Sequence, residues 1–80
     1  MVNAIFDPDF RKEFEKIKNK DIKEKIIKHV IKIKENPEIG KPMRYARKGT
    51  RELYIGSFRL SYIFEGDTVS ILALYHKDEQ

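Results

Sequence analysis

The second half of the chain contains two closely spaced turn signals that restrict how it can fold. The first, Gly56-Ser57, separates two runs in which apolar and polar residues alternate, RELYI and FRLSYIF. A Gly-X pair between such runs is typical of a β-hairpin with a two-residue type II′ turn. In the register that follows, Tyr54 faces Arg59 and Glu52 faces Ser61. This segment therefore predicts two antiparallel strands with a defined register.

Alternation along these strands separates an apolar face from a polar one. The polar face carries Glu52, Tyr54, Arg59 and Ser61. We expect it to be a site for nucleic acid or phosphate, because it combines a cation with an aromatic ring on a small rigid sheet. The other face is expected to pack in the core, and it consists of Leu53, Ile55, Phe58, Leu60, Tyr62 and Phe64.

The second turn, in the sequence EGD, leaves the register of the last strand open. A two-residue loop places Leu74 opposite Arg59, with His76 diagonal to it. A three-residue loop instead places Ala73 opposite Arg59 and Lys77 on the same side. A shift of one residue exchanges the two faces of a strand, so these alternatives predict different sites. The spacing alone does not choose between them.

Length and composition exclude several classes of protein. The 80 residues contain no cysteine, which excludes disulfide frameworks and zinc ribbons. We expect one domain, residues 1–80, and so short a chain needs either an efficient core or a partner. No apolar run is long enough to span a membrane and no signal peptide is recognisable, so we expect a soluble cytoplasmic protein without membrane association.

Positive charge is concentrated in the middle of the sequence. Residues 41–64 contain six Lys or Arg against one Glu, whereas residues 1–40 contain ten against eight and residues 65–80 contain one against four acidic residues. A basic patch beside a sheet favours binding to a polyanion, usually a nucleic acid. The alternative is that these side chains only keep the surface hydrated.

The first forty residues are predicted to form a short strand, residues 2–6, and two helices. Asp7-Pro8 provides a cap and a first-turn proline for the first helix. The second is predicted to start at Asp21, in a capping box with Glu24, and to stop at Asn36-Pro37. The predicted class is α+β, with an N-terminal strand and an α-helical hairpin packed on a small antiparallel sheet. The apolar stripes of the two helices are Phe10, Phe14 and Ile17, and Ile22, Ile26, Val30 and Ile33.

This order of elements, with several short motifs, resembles the RelE/ParE superfamily of bacterial and archaeal toxins, and its RelE branch most closely. The motifs are GKP at residues 40–42, GTREL at 49–53 and GSFRLSY at 56–62. A fourth, YHKDE at 75–79, stands at the position of the terminal GHR signal of that family. The resemblance spans nearly the whole chain and implies a RelE-like fold of the microbial ribonuclease type.

The resemblance also implies a function: the toxin of a type II toxin–antitoxin system. Such a toxin is a ribosome-dependent endoribonuclease that cleaves mRNA in the A site and so inhibits translation. Attack by a 2′-hydroxyl leaves a 2′,3′-cyclic phosphate, without a metal or cofactor. The implied partners are a RelB-like antitoxin, in a heterodimer or heterotetramer, and the ribosome with its rRNA and mRNA. The alternatives are a ParE-like inhibitor of DNA gyrase without catalysis and a degenerate toxin that only binds antitoxin.

Cleavage of this kind needs a base, cations around the phosphate and an acid for the leaving oxygen. Arg59 aligns with the sheet arginine of the family, and its guanidinium fork suits a phosphate. Lys77 occupies the second arginine position of the GHR signal, and His76 precedes it. Either residue could stabilise charge, and His76 could also transfer a proton. The alternative for both is a frayed, polar C-terminal segment.

The sequence departs from the RelE pattern in two places. Glu52 and Tyr54 stand where that pattern has two lysines, and the usual terminal tyrosine has no counterpart. Glu52 is a candidate base or the partner of a nearby arginine. Tyr54 either stacks on a base of the mRNA or covers Arg59. Tyr75 replaces the missing tyrosine only if the register of its strand points it outward.

The basic loop before the hairpin is expected to contact RNA phosphates without taking part in catalysis. Within this loop, Arg44 and Tyr45 could equally pair as part of an early strand. The expected RNA-binding residues are Lys41, Arg44, Arg47, Lys48 and Arg51.

Overall fold

In the computed structural model, two helices pack on one face of a five-stranded sheet. The structure describes residues 2–44 and 48–76. The sheet has the strand order β1-β5-β4-β3-β2. The predicted α+β class, with a helical hairpin on a sheet, is confirmed. The elements are β1 (Asn3–Phe6), α1 (Pro8–Lys16), α2 (Lys20–Glu35), β2 (Lys41–Pro42), β3 (Thr50–Ile55), β4 (Phe58–Glu65) and β5 (Thr68–His76).

The sheet is mixed, because β1 runs parallel to β5 while the other pairs are antiparallel. The N–H of Asn3 donates to the carbonyl of Asp67 at 2.8 Å, and the N–H of Asp7 donates to the carbonyl of Ile71 at 2.9 Å. These bonds satisfy one edge of β5, which would otherwise be exposed.

In the part of the chain that the structure describes, neither helix is sufficiently long and apolar to cross a membrane.

Each helix begins after a residue whose side chain caps its first backbone N–H groups. Asp7 caps α1 as predicted, since its carboxylate accepts from the N–H of Asp9 at 2.9 Å. The predicted cap of α2 was wrong: Asn19, not Asp21, holds this position. The Asn19 side-chain oxygen accepts from the N–H groups of Asp21 at 2.9 Å and Ile22 at 3.3 Å. It therefore satisfies two amides that lack helical acceptors.

The core lies between the helices and the apolar face of the sheet. Burial of each large aliphatic side chain contributes about 1.5–3 kcal/mol, so this layer is the main source of stability. The fully buried members come from α2, β4 and β5. They are Ile26, Ile33, Leu60, Tyr62, Val69, Ile71 and Leu74.

The first hairpin has the register that the Gly-X turn predicts. Tyr54 pairs with Arg59 and, farther from the turn, Glu52 pairs with Ser61. Gly56 has a φ of 58°, and no residue other than glycine has a positive φ among those described. A positive φ at the first turn position alone is the pattern of a type II′ turn.

A β-bulge in β5 determines what faces Arg59. The turn before β5 is the two-residue loop, one of the two alternatives that the sequence left open, but Leu72 is an extra residue in the ladder, and the register shifts by one beyond it. Arg59 therefore faces Tyr75. Both partners predicted for Arg59, Leu74 and Ala73, were wrong, because neither alternative included a bulge.

Tyr62 fixes the loop between α2 and β2 from inside the core. Its hydroxyl donates to the carbonyl of Pro37 at 2.7 Å and accepts from the N–H of Gly40 at 2.9 Å. Burial raises the pKa of the Tyr62 phenol, so it stays a neutral donor. A Cβ on Gly40 would lie 2.7 Å from the Tyr62 hydroxyl oxygen, so only glycine fits there.

Candidate functional site

Four side chains meet on the face of the sheet that points away from the helices. Glu52 and Tyr54 lie on β3, Arg59 on β4 and Tyr75 on β5. Their pairing across neighbouring strands puts all four on the same side. We call Glu52, Tyr54, Arg59 and Tyr75 the outer-face cluster. The structure thus brings together three predicted site residues and one that was only a conditional candidate.

Glu52 is the centre of this cluster. Its side chain is only 14% exposed. The hydroxyl of Tyr75 donates to its Oε2 at 3.1 Å, and Nη1 of Arg59 lies 4.0 Å from its Oε1. Each carboxylate oxygen therefore has a polar neighbour from a different strand. A carboxylate held in this way has few alternative rotamers, as a proton acceptor in a reaction requires.

Arg59 lies between Glu52 and the ring of Tyr54. Its Cζ is 4.7 Å from the ring centroid, and its side chain is 26% exposed. Stacking on an aromatic ring and pairing with a carboxylate both restrict a long side chain that is otherwise mobile. The guanidinium is thus held in place while part of it still reaches solvent, where it can meet a phosphate.

Small residues leave room for the contact between Tyr75 and Glu52, which belong to strands separated by β4. Ser61 pairs with Glu52 on one side and with Ala73 on the other. Neither Ser61 nor Ala73 has a side chain long enough to block the space above β4. The Tyr75 hydroxyl can therefore reach across to the carboxylate.

Lys41 adds a second cation beside the cluster. It pairs with Glu52 across β2 and β3, and its Nζ lies 5.8 Å from the Tyr54 ring centroid. Arg44 and Lys48 are exposed and line one depression at the β2 end of the sheet. These three predicted RNA-binding residues are available to an anionic ligand. Arg47 and Tyr45 lie outside the described residues.

Arg51 lines the same depression as Arg44 and Lys48, but part of its guanidinium is bound by the protein itself, and its role in RNA binding stays a prediction. Its Nη1 donates to the carbonyls of Glu38 at 3.1 Å and Gly40 at 2.8 Å. Alternation along β3 points Arg51 to the same side as Leu53, towards the helices. The side chain therefore holds the loop after α2 in place.

His76 is also on the helix side, so the predicted approach to Arg59 was wrong. It pairs with Phe58, and the two rings meet edge to face with centroids 5.4 Å apart. It lines a depression with Glu13 and Ile17, residues of α1 and its C-cap. The bulge causes this placement, because it exchanges the faces of β5 beyond Leu72. Lys77 lies outside the described residues.

Tyr75 is the functional candidate that the sequence located least well. The bulge that points it outward leaves no glycine or proline signal in the sequence SILALYH. Its hydroxyl contact with Glu52 became identifiable only with the register known.

Among the residues described, no group of three or more His, Cys, Asp or Glu side chains is placed to hold a metal ion.

Comparisons with known proteins identify the family and the fold of this chain. A family model described as the ParE toxin of type II toxin–antitoxin systems, parDE, matches residues 4–80. The RelBE2 toxin–antitoxin complex of Mycobacterium tuberculosis contains a chain that is 25% identical, with a TM-score of 0.81, over 94% of this chain and 96% of that one. No curated protein sequence matches.

Two further solved structures share the fold at lower identity. The isolated RelE toxin of E. coli has a TM-score of 0.80 and 18% identity, over 95% of this chain and 84% of that chain. A chain of the YoeB dimer of Staphylococcus aureus has a TM-score of 0.79 and 21% identity, over 94% of this chain and 97% of that chain. Nearly the full length of this chain takes part in both superpositions.

Proposed function

This chain belongs to the ParE toxin family of type II toxin–antitoxin systems, and from this premise we propose that it is a ribosome-dependent endoribonuclease. It would cleave mRNA in the A site, in the cytoplasm, and so inhibit translation. The observation that carries the proposal is the meeting of Glu52, Arg59 and Tyr75 on one face of the sheet. A gyrase inhibitor has no need for a carboxylate, a guanidinium and a phenol in mutual contact.

Each member of this group has a role in attack by a ribose 2′-hydroxyl on the adjacent phosphate. Glu52 accepts the proton of the 2′-hydroxyl, so that the 2′-oxygen becomes a better nucleophile. Arg59 binds the non-bridging phosphate oxygens, whose charge increases in the transition state. The new bond joins the phosphorus to the 2′-oxygen, and the bond to the 5′-oxygen breaks. The products are a 2′,3′-cyclic phosphate and a 5′-hydroxyl.

The departing 5′-oxygen needs a proton, and Tyr75 is placed to provide it. Its hydroxyl proton can pass to the 5′-oxygen while the protonated Glu52, 3.1 Å away, returns a proton to the phenol. The pair then carries one proton from the 2′-oxygen to the 5′-oxygen and finishes in its starting state. His76 has no role in this scheme, because it lies on the helix side.

The basic residues beside the cluster would guide the protein to RNA. Lys41, Arg44 and Lys48 offer contacts to phosphates without reading sequence. The net charge of +4 adds a long-range attraction to the ribosome's RNA, which falls as ionic strength rises.

An antitoxin is the proposed protein partner. Structures of similar toxins include the RelBE complex of E. coli and the YoeB–YefM complex of S. aureus. In this chain an apolar groove of about 380 Å³ runs between the helices, lined by Phe10, Phe14 and the exposed Ile27 and Ile31. The helix α2 carries six lysines and three acidic residues. An amphipathic antitoxin segment with acidic flanks fits both the groove and this charge.

The second candidate function is inhibition of DNA gyrase, because the family model that matches is that of the ParE toxin. Induction of the protein in cells, followed by labelled methionine incorporation and by plasmid supercoiling, separates the two targets. The nuclease predicts an early loss of methionine incorporation with normal supercoiling. Loss of supercoiling before any loss of translation would reject the nuclease and favour gyrase.

A further inference from the structure

Tyr54 is an exposed aromatic residue on the face of the sheet that points away from the helices. The residue is 51% exposed, and it is the most exposed aromatic residue in the described part of the chain. It lies on β3 beyond Arg51 and Glu52, the two residues that pair with β2, so its ladder partner is Arg59 on β4 and the other side of the strand is open. An exposed aromatic ring on a rigid strand is costly to hydrate and offers a flat surface to a ligand.

Cations flank the Tyr54 ring from two different strands. Arg59 comes from β4, with its Cζ 4.7 Å from the ring centroid. Lys41 comes from β2, on the other side of β3, with its Nζ 5.8 Å from the centroid. A ring between two cations suits a ligand that alternates flat groups with negative charges, as a single-stranded nucleic acid does.

The two cations differ in how firmly they are held. Arg59 is directly opposite Tyr54 in the ladder and also lies 4.0 Å from Glu52. Lys41 is exposed, is on the short edge strand and is farther from the ring. The Lys41 side of the ring is therefore the side that can open to a base, while Arg59 keeps the ring in place from the other side.

We propose that Tyr54 is a stacking platform for one nucleobase of single-stranded RNA, with Arg59 and Lys41 contacting the phosphates next to that base. The inference rests on the proposed function, because it uses the same Arg59 that would hold the phosphate to be cleaved. Since Tyr54 and Arg59 are cross-strand partners, the stacked base belongs to a nucleotide adjacent to that phosphate. Stacking is tolerant of sequence, so the platform positions the RNA without selecting a codon by itself.

The test is equilibrium binding of a short, fluorescently labelled RNA whose 2′-hydroxyls are methylated, which prevents cleavage. A second oligomer has the same backbone with abasic sites in place of the bases. The variants are Tyr54→Leu, which keeps apolar bulk without a π-system, and Tyr54→Phe, which keeps the ring. Thermal unfolding of each variant checks that the sheet is intact.

We expect Tyr54→Phe to bind the RNA within about two-fold of the original chain, and Tyr54→Leu to bind it at least about five-fold more weakly, the lower end of base–aromatic stacking. All three proteins are expected to bind the abasic oligomer equally. Unchanged RNA binding by Tyr54→Leu, or an equal loss on the abasic oligomer, would overturn the proposal.

The outcome is independent of whether the chain cleaves RNA. If Tyr54 makes the protein prefer RNA with bases over abasic RNA but the protein never cuts mRNA, the stacking platform is supported and the nuclease is rejected. If the protein cuts mRNA but the Tyr54→Leu variant binds the RNA normally, the nuclease is supported and the stacking platform is rejected. A chain that binds both oligomers equally well has no base-stacking site.

Discussion

Replacement of Glu52 by glutamine distinguishes a catalytic role of this carboxylate from a purely structural one. Glutamine has the same shape and still offers an oxygen to the Tyr75 hydroxyl, now 3.1 Å from Oε2. It cannot take a proton from a 2′-hydroxyl. Loss of a general base costs about 10²- to 10⁴-fold in rate, or about 3 to 5 kcal/mol in the barrier.

A second effect acts in the opposite direction but is smaller. The Glu52→Gln change releases Arg59 from a partner 4.0 Å away, which leaves its charge freer to bind phosphate. Ion pairs with partly exposed members contribute about 0–1 kcal/mol, so this gain amounts to about five-fold at most. The loss of the base is therefore expected to dominate, and cleavage should fall by at least about 20-fold.

The assay is single-turnover cleavage of mRNA on programmed ribosomes, with primer extension to measure each cut. Glu15→Gln makes the same chemical change at an exposed position of α1 and serves as the matched control. Circular dichroism and thermal unfolding verify that each variant folds. A rate for Glu52→Gln equal to or above that of the control would refute the role of Glu52 as the base and leave it as a structural partner of Arg59.

The remaining predictions address the other parts of the structure. Tyr75→Phe, which removes the hydroxyl but keeps the ring, should slow cleavage by about 100-fold; a normal rate would exclude the proton relay. Tyr62→Phe should lower the free energy of unfolding by about 1–3 kcal/mol, because the buried N–H of Gly40 and the partly buried carbonyl of Pro37 lose their hydrogen bonds; an unchanged urea midpoint would contradict this. Ile31→Asp should weaken binding to the cognate antitoxin by about ten-fold or more, as measured by calorimetry, while Ile5→Asp, exposed on β1, should not; equal effects would remove the groove from the interface.

Local signals in the sequence were sufficient for the first hairpin and its two faces. The Gly56-Ser57 turn defined the register, and alternation then put Tyr54 and Arg59 on one side. The start of α1 was equally accessible, because Asp7 followed by proline is a strong capping signal. These features depend on contacts between residues that are close in sequence, which single-chain patterns describe well.

The features that could not be predicted depend on longer-range packing. The bulge at Leu72 has no marker residue, yet it decides that Tyr75 faces the site and His76 faces the helices. Arg51 was expected to contact RNA, but its bond to the Gly40 carbonyl depends on where the loop after α2 crosses the sheet. The parallel pairing of β1 with β5 likewise joins opposite ends of the chain.

The measurement that tests the central claim most directly is primer extension on mRNA incubated with the purified protein, with and without programmed ribosomes, beside the Arg59→Ala variant. The account predicts codon-phased cuts that require ribosomes, carry 2′,3′-cyclic phosphate ends and disappear in the variant. Full cleavage by Arg59→Ala, or no cleavage by the original chain on ribosomes, would contradict the assignment of the outer-face cluster as an RNA-cleaving site.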